Sequence, residues 1–414
     1  MISEFASVGA LVLLGLSSLH GEDYFPPPDN ARGWRTATNA AEMRERAEMD
    51  LPRLEQAWEF TQRCTQNGGL IVVRNGWLVF EKYFGRASRN ANPDMASTGK
   101  AYTSIASGIM LKEFHDKIPD GLDTKVFTEK FLPEAFSTDG ALDDPRRADI
   151  TLGQLLCMTG GYTGEGGSPT AVVMGKAFPL KAVPGQNIRD LDMSSLRCAM
   201  WTNAGAGYSY SSLEPHIASM VLRRVTGMEL QEYIDARLAK PMGWGALGYC
   251  LHRGGFTMPH ANGAGSIAVH ATDALRFGYC LLHDGKWGEK QLVPADYVAL
   301  CNKMSPHNPH CPYTLMFEQN SDGHAAGAPR DAYWKSGAGG FALIIVPSLQ
   351  TVIYKMGGNN GQYDPSLTGL AQPEPGHDRD DWKPIPRTPF HEGSLGGDDG
   401  IRRVVEMVCA AGRD

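Results

Sequence analysis

The sequence lacks several features that would assign it to a large functional class. Its 39 lysines and arginines are outnumbered by 46 aspartates and glutamates, which gives a formal net charge of −7 and argues against nucleic acid as a partner. No apolar run approaches the length of a membrane-spanning helix. The chain also has no Gly-x-Ser-x-Gly, the nucleophile elbow that α/β-hydrolases require.

The eight cysteines include no Cys-x-x-Cys pair and show no metal-ligand spacing. We therefore predict buried, apolar thiols. Cys301 and Cys311 flank a loop that contains proline and histidine, so they are the pair expected to form a local disulfide if the protein is exported.

The histidines do not indicate a metal site either. His307 and His310 share a loop without a third ligand at a suitable spacing, so solvated side chains are favoured over metal ligands. His260 and His270 flank a glycine-rich segment and are predicted to be structural.

The N-terminus gives a mixed signal for targeting. Residues 10–19 form a short apolar stretch that could precede a cleavage site, but Glu4 lies ahead of it and no lysine or arginine does. We expect residues 1–22 to be a signal peptide or leader, which would make the protein periplasmic or secreted. The alternative is a cytoplasmic protein.

The length of 414 residues predicts two lobes rather than one core. Asn75-Gly76 between two apolar runs, 69–74 and 77–84, is the strongest hairpin signal in the chain. Helices are predicted over 43–64, from Ser97 to Glu113, over 213–225 and over 401–411, and strands over 340–346 and 351–356. The expected organisation within residues 23–414 is a sheet lobe from 43–96 and 330–414 and a helical lobe over 115–300.

Ser97 and Lys100 form the only Ser-x-x-Lys in the chain, at the start of a long apolar helix. Residues three apart share one face of a helix, so the Lys100 amine is expected to stand over the Ser97 hydroxyl and activate it as a nucleophile. The alternative is an ordinary helix start with a solvated lysine.

Two further motifs follow in order. Tyr208 comes after a glycine-rich turn and before the helix at 213–225, and Lys335-Ser336-Gly337 opens an apolar strand. With Ser97 and Lys100, this set resembles the serine β-lactamase and penicillin-binding protein superfamily. Residues 150–161 and 265–278 are similar to two further segments of that family, so the resemblance covers roughly residues 50–360. Within the family, it is nearest to the class C-like branch of family VIII carboxylesterases, nylon-oligomer hydrolases and D-aminopeptidases.

The resemblance implies an α+β fold in which helices flank an antiparallel sheet and a mostly helical lobe is inserted. It implies Ser97 as nucleophile, Lys100 as general base and Tyr208 as a second proton carrier, with no cofactor or metal. The order in which Lys100 and Tyr208 act stays open. The oxyanion hole would combine the backbone N–H groups of Ser97 and Ala338, each such donor contributing on the order of 10² to 10³ in rate.

Tyr210 is the point at which the sequence departs from the family pattern. β-Lactam-processing members carry Tyr-x-Asn, and Tyr210 stands where the asparagine is expected if Tyr208 begins the motif. A phenol lacks the paired donor and acceptor of an amide, so we expect Tyr210 in the substrate pocket and a preference for small esters. Trp334 is the other candidate for the pocket wall, with a core position as the alternative.

The resulting hypothesis is a carboxylesterase that acts on a small-molecule substrate. The alternatives are a hydrolase of amides such as 6-aminohexanoate oligomers or D-amino peptides, a weak β-lactamase, or a homologue that binds without catalysis.

Overall fold

The computed structural model describes residues 24–164, 169–184, 186–370, 376–379, 382 and 398–412. The expected leader at 1–22 lies outside these residues. Within the part described, no helix is both long and apolar enough to span a bilayer.

A seven-stranded antiparallel sheet is the centre of the molecule. Its spatial order is β12-β13-β14-β15-β16-β1-β2, so the first hairpin of the chain pairs with the last strand. The strands are β1 Gly68–Arg74, β2 Trp77–Phe84, β3 Thr170–Val173, β4 Lys176–Pro179, β5 Tyr208–Ser209, β6 Leu247–Tyr249, β7 His252–Arg253, β8 Phe256–Thr257, β9 Ile267–Val269, β10 Lys286–Trp287, β11 Lys290–Gln291, β12 Tyr313–Thr314, β13 Phe317–Gln319, β14 Tyr333–Gly337, β15 Phe341–Val346 and β16 Thr351–Met356.

Helices pack on both faces of this sheet and make up most of the second lobe. They are α1 Ala40–Ala47, α2 Leu51–Cys64, α3 Lys100–Glu113, α4 Leu152–Leu156, α5 Leu191–Leu196, α6 Leu213–Thr226, α7 Leu230–Ile234, α8 Lys240–Met242, α9 Ala271–Leu282, α10 Ala295–Cys301 and α11 Asp398–Ala411. A 3₁₀ turn over Ala96–Gly99 leads directly into α3, and another spans Asn360–Tyr363.

The sheet separates two hydrophobic clusters because successive side chains of a strand point to opposite faces. In β1, Ile71 and Val73 face the larger cluster with α3 and α9, whereas Leu70 and Val72 face a smaller cluster with α2 and α11. Every residue of β1 is therefore buried, as expected for a strand covered on both faces.

The fold class predicted from the sequence is confirmed, and so are the hairpin and the strands near 340–356. The single helix expected over 43–64 is wrong in one respect. The chain breaks it at Glu48, which adopts a left-handed conformation (φ 52°), and α2 begins afresh with the Asp50 carboxylate accepting from the Arg53 N–H at 3.1 Å.

The C-terminal part of the sheet begins at Tyr313, earlier than the expected boundary near residue 330. The region over 115–300 contains more helix than strand, and it also holds the small sheet β4-β3-β5, which comes before α6. This small sheet positions the tyrosines of the second motif.

All eight cysteines are free thiols. Burial raises the pKa of Cys301 and that of Cys311, the latter to about 11. The disulfide considered for Cys301 and Cys311 is absent, and the Cys301 thiol lies against the Tyr297 carbonyl oxygen instead, at 3.5 Å.

Candidate active site

Ser97 and Lys100 meet where the 3₁₀ turn becomes α3. The Lys100 side chain is fully buried. Its Nζ donates to the Ser97 hydroxyl oxygen at 2.8 Å, to the Ser212 hydroxyl oxygen at 3.0 Å and to the Ala264 carbonyl oxygen at 2.8 Å. Three acceptors match the three N–H donors of an ammonium group, so Lys100 is a fixed part of the site and not a solvated helix lysine.

Gly265 allows the turn that carries Ser97 to form. A Cβ atom on Gly265 would lie 2.2 Å from the Ala96 carbonyl oxygen, and its φ of +145° also disfavours other residues. The Ser266 N–H donates to the same carbonyl at 3.0 Å. The glycine-rich segment around Gly265 is thus needed for close backbone contact with the nucleophile turn.

Tyr210 occupies the position between two lysines. The Nζ atoms of Lys100 and Lys335 lie 5.0 and 5.2 Å from the centre of its ring. Burial alone would raise the pKa of Tyr210, but the two ammonium groups and a hydrogen bond with Ser97 outweigh burial and the nearby Glu318 and hold that pKa below its usual value. Tyr210 is therefore a phenol that ionises more readily than an ordinary tyrosine.

Lys335 reaches the site from β14, and Glu318 of β13 holds it there. The Lys335 side chain is fully buried and forms an ion pair with Glu318. The Glu318 carboxylate also accepts from the Ser336 hydroxyl at 2.7 Å and from the Ser336 N–H at 3.2 Å. No sequence motif indicates Glu318; only the strand register, which sets Glu318 opposite Trp334, brings it to the third motif.

Gly337 ends β14 beside the nucleophile turn. A Cβ on Gly337 would lie 2.3 Å from the Met95 carbonyl oxygen and 2.9 Å from the Thr98 nitrogen. A glycine is required here because the strand end and the turn of Ser97 are in direct contact. Ala338 follows as an exposed residue in the turn between β14 and β15.

Tyr208 lies in the short strand β5 near Tyr313, and Trp334 lies in the hydrophobic core. Tyr208 is in β5, paired with Val172, and its ring packs 5.3 Å from that of Tyr313. Tyr210, beyond the end of β5 and nearer to α6, lies between the two lysines, whereas the resemblance implied Tyr208 as the second proton carrier. Trp334 faces α2 and α11 in the smaller cluster, because it precedes Lys335 on β14 and so points to the opposite face; its assignment to the substrate pocket is corrected to a core position.

Ser212 and Glu214 are site neighbours that sequence reasoning missed. Ser212 is the second residue after Tyr210 and contacts Lys100. Glu214 is fully buried, its carboxylate accepts from the Gly160 N–H at 2.9 Å, and burial raises the pKa of Glu214 well above its usual value. Their sequence spacing could have indicated them. The pattern of a tyrosine, any residue and a polar residue begins at Tyr210 as well as at Tyr208, and the copy that begins at Tyr210 directly precedes α6.

The histidines engage neighbouring protein groups. His310 Nε2 lies 3.0 Å from the Gly205 carbonyl oxygen, and the Met174 N–H donates to its Nδ1 at 3.3 Å. His260 Nδ1 lies 3.1 Å from Glu229. Among the residues that the structure describes, no three or more His, Cys, Asp or Glu side chains cluster as metal ligands would.

Comparison with known proteins agrees with this architecture. A family model described as Beta-lactamase matches residues 53–357. No curated protein matches the sequence.

Among solved structures, a "putative beta-lactamase" from Bacteroides dorei DSM 17855 is 16% identical with a TM-score of 0.61, over 87% of this chain and 99% of the other. A "putative 6-aminohexanoate-dimer hydrolase" from Bacillus anthracis is 19% identical with a TM-score of 0.57, over 80% and 84%. A penicillin-binding protein homolog from Caulobacter crescentus is 14% identical with a TM-score of 0.56, over 87% and 97%. These solved structures share the fold of this chain. Because the family model covers most of the chain, the protein belongs to the beta-lactamase family of serine hydrolases.

Proposed function

We propose that the protein is a serine acyl hydrolase in which Tyr210, rather than Tyr208, moves the proton of Ser97. The observation that carries the proposal is the position of the Tyr210 phenol, whose ring centre lies 5.0 and 5.2 Å from the Nζ atoms of the buried Lys100 and Lys335 and whose pKa is lowered by both lysines and by Ser97. A base must lie close to the proton that it removes, and the effect of Ser97 on the pKa of Tyr210 supports that closeness.

The chemistry then proceeds in two halves. The Tyr210 phenolate takes the hydroxyl proton as Ser97 Oγ bonds to the substrate carbonyl carbon, and the carbonyl π electrons move to oxygen. The oxyanion is stabilised by N–H donors of Ser97 and Ala338. When the tetrahedral species collapses, the bond to the leaving group breaks and the leaving group receives the proton from Tyr210. Water, deprotonated by the same phenolate, then attacks the acyl carbon; when this second tetrahedral species collapses, the bond to Ser97 Oγ breaks, Tyr210 returns the proton to Oγ and the acid is released.

Small esters are the proposed substrates because of Ser212. With Tyr210 as the motif tyrosine, Ser212 takes the position of the family asparagine, and its hydroxyl oxygen accepts from Lys100. A hydroxyl is too short and has too few donors to replace an amide as the anchor for an acylamino group. Activated esters depend mainly on the nucleophile and the oxyanion hole, whereas amides also need that anchor and a protonated leaving group.

The test compares two matched variants, Tyr210→Phe and Tyr208→Phe, with p-nitrophenyl acetate as substrate. Tyr210→Phe should lower kcat/KM by about 10² to 10⁴ because proton transfer is lost, while Tyr208→Phe should stay close to wild type. A fluorophosphonate probe should label Ser97, as peptide mapping would show, and Ser97→Ala should abolish labelling.

Three outcomes would contradict the proposal. They are a larger loss in Tyr208→Phe than in Tyr210→Phe, labelling at a serine other than Ser97, and faster wild-type turnover of nitrocefin or of the 6-aminohexanoate dimer than of short esters. Tight ligand binding without turnover would favour a non-catalytic homologue.

A further inference from the structure

The two backbone donors proposed for the oxyanion hole belong to separate parts of the chain. Ser97 lies in the turn after Asp94, and Ala338 lies in the turn between β14 and β15. Gly339 and Gly340 of the second turn have φ values of +89° and +85°, which only glycine adopts easily, and glycine is also the residue with the greatest backbone freedom. A hole built from two such turns needs a contact that fixes the distance between them.

Gln362 makes that contact with a single amide group. Its Nε2 donates to the Asp94 carbonyl oxygen at 3.0 Å and to the Ala338 carbonyl oxygen at 3.1 Å. Both amide hydrogens are therefore used, one on each turn. The assignment of nitrogen and oxygen follows from chemistry, because only the NH₂ end can donate to two carbonyls.

The Gln362 side chain is itself fixed by its surroundings. Its Oε1 accepts from the Asn359 N–H at 3.2 Å, and the Asn359 side chain accepts from the Gln362 N–H at 3.2 Å, so the two residues form a reciprocal cap of the 3₁₀ turn. The Gln362 carbonyl oxygen also accepts from the Asp94 N–H at 2.8 Å. The bridging amide thus belongs to a capped turn whose backbone already bonds to the segment leading to Ser97.

Other groups hold the glycine turn without reaching the nucleophile side. The Lys355 ammonium donates to the Gly340 carbonyl oxygen at 2.6 Å, and the Gly358 N–H donates to the Gly339 carbonyl oxygen at 2.8 Å. These contacts fix the shape of the turn. Gln362 differs because it also contacts Asp94, and so it adds a hydrogen-bonded link between the two donor segments to the direct packing of Gly337 on the Ser97 turn.

We propose that Gln362 is a positioning residue that holds the Ser97 and Ala338 backbone donors at the spacing required to bind the oxyanion. The inference rests on the proposed function, since it assumes that these two N–H groups form the hole. It predicts a loss of transition-state stabilisation without a loss of substrate binding, because no contact of Gln362 with substrate is required.

The kinetic test uses Gln362→Ala with Gln66→Ala as the matched control. Gln66 accepts from the Asn360 N–H at 3.2 Å, so its loss weakens the same 3₁₀ turn without touching either donor segment. Gln362→Ala should lower kcat for p-nitrophenyl acetate by about 10- to 100-fold with KM little changed, the effect of a small misplacement of catalytic groups. Gln66→Ala should remain near wild type.

A boronic acid inhibitor separates positioning from general damage. It forms a tetrahedral adduct when Ser97 Oγ bonds to boron and the serine proton leaves, and one boronate oxygen then occupies the oxyanion hole. Its affinity should fall in Gln362→Ala by the same factor as kcat/KM. Equal losses in Gln362→Ala and Gln66→Ala, or wild-type kinetics in Gln362→Ala, would overturn the proposal.

Amide hydrogen exchange supplies a measurement that does not depend on turnover. Exchange should accelerate in residues 94–98 and 338–340 together in Gln362→Ala and in neither segment in Gln66→Ala. Acceleration in one segment alone, or in none, would refute the bridge even if the protein hydrolysed no ester. Absence of wild-type activity would count against the hydrolase proposal, and the exchange result would still decide the role of Gln362.

Discussion

Removing the Lys335 ammonium should shift the acid limb of the pH profile of kcat/KM to higher pH. A phenolate base is active above its pKa, and Lys335 is one of the two cations that hold the pKa of Tyr210 down. In Lys335→Met that pKa rises, so a larger fraction of Tyr210 is protonated, and inactive as a base, at neutral pH. The position of the limb can be measured even when the maximum rate is reduced.

The distance sets the size of the shift. With Lys335 Nζ 5.2 Å from the ring centre of Tyr210, two unit charges about 5 Å apart interact by roughly 3 kcal/mol at an effective dielectric constant of about 20, or roughly two pKa units. Glu318 pairs with Lys335 and opposes it. The Glu318 carboxylate raises the pKa of Tyr210 in wild type and in Lys335→Met alike, so comparing Lys335→Met/Glu318→Gln with Glu318→Gln isolates the contribution of the lysine.

Two assays check this shift. The first is the pH dependence of kcat/KM for a p-nitrophenyl ester, and the second is the near-ultraviolet tyrosinate titration, with Tyr210→Phe subtracted to isolate the single phenol. Lys82→Met is the control, because Lys82 pairs with Glu55 at 2.7 Å on the half-exposed face of β2. An acid limb and a tyrosinate titration that stay in place in Lys335→Met would refute the assigned role of Tyr210.

Two further predictions concern residues beside the site. Ser212→Asn restores the amide of the family motif and should shift the ratio of kcat/KM values towards nitrocefin relative to p-nitrophenyl acetate, so an unchanged ratio would show that this position does not set bond preference. Burial raises the pKa of Glu214, so the folded state holds the carboxyl proton more tightly than the unfolded chain does. The resulting contribution to the free energy of unfolding is lost as the pH rises past the ordinary carboxyl range. Glu214→Gln should therefore gain stability relative to wild type as the pH rises, measured as the difference in Tm, whereas a pH-independent difference would mean that Glu214 is not held protonated.

Local patterns predicted the elements of the sheet more accurately than they predicted the site. The turn Asn75-Gly76 and the apolar runs around it are short-range signals, and the hairpin formed within one residue of its expected bounds. The Ser97 to Lys100 spacing also predicted a contact directly, because one turn of helix sets that distance.

Long-range placement could not be predicted in the same way. Tyr208 and Tyr210 are two residues apart and both pack near Tyr313, so the choice between them depends on where β5 ends and how α6 packs on α3. Glu318 lies in the site because of the strand register alone. Trp334 lies outside it because successive side chains of β14 point to opposite faces of the sheet. These are properties of the assembled sheet.

The strand order also bears on how the chain is synthesised. Val72 of β1 pairs with Ile353 of β16, so most of the protein must leave the ribosome before β1 acquires its second neighbour. Non-local pairing of this kind slows folding and leaves a strand edge exposed in the nascent chain. Because β16 pairs with β15, and β15 with β14, Lys335 of β14 is expected to reach the Ser97 turn only after this pairing has formed, and a partly synthesised or C-terminally truncated chain is therefore expected to lack the assembled site.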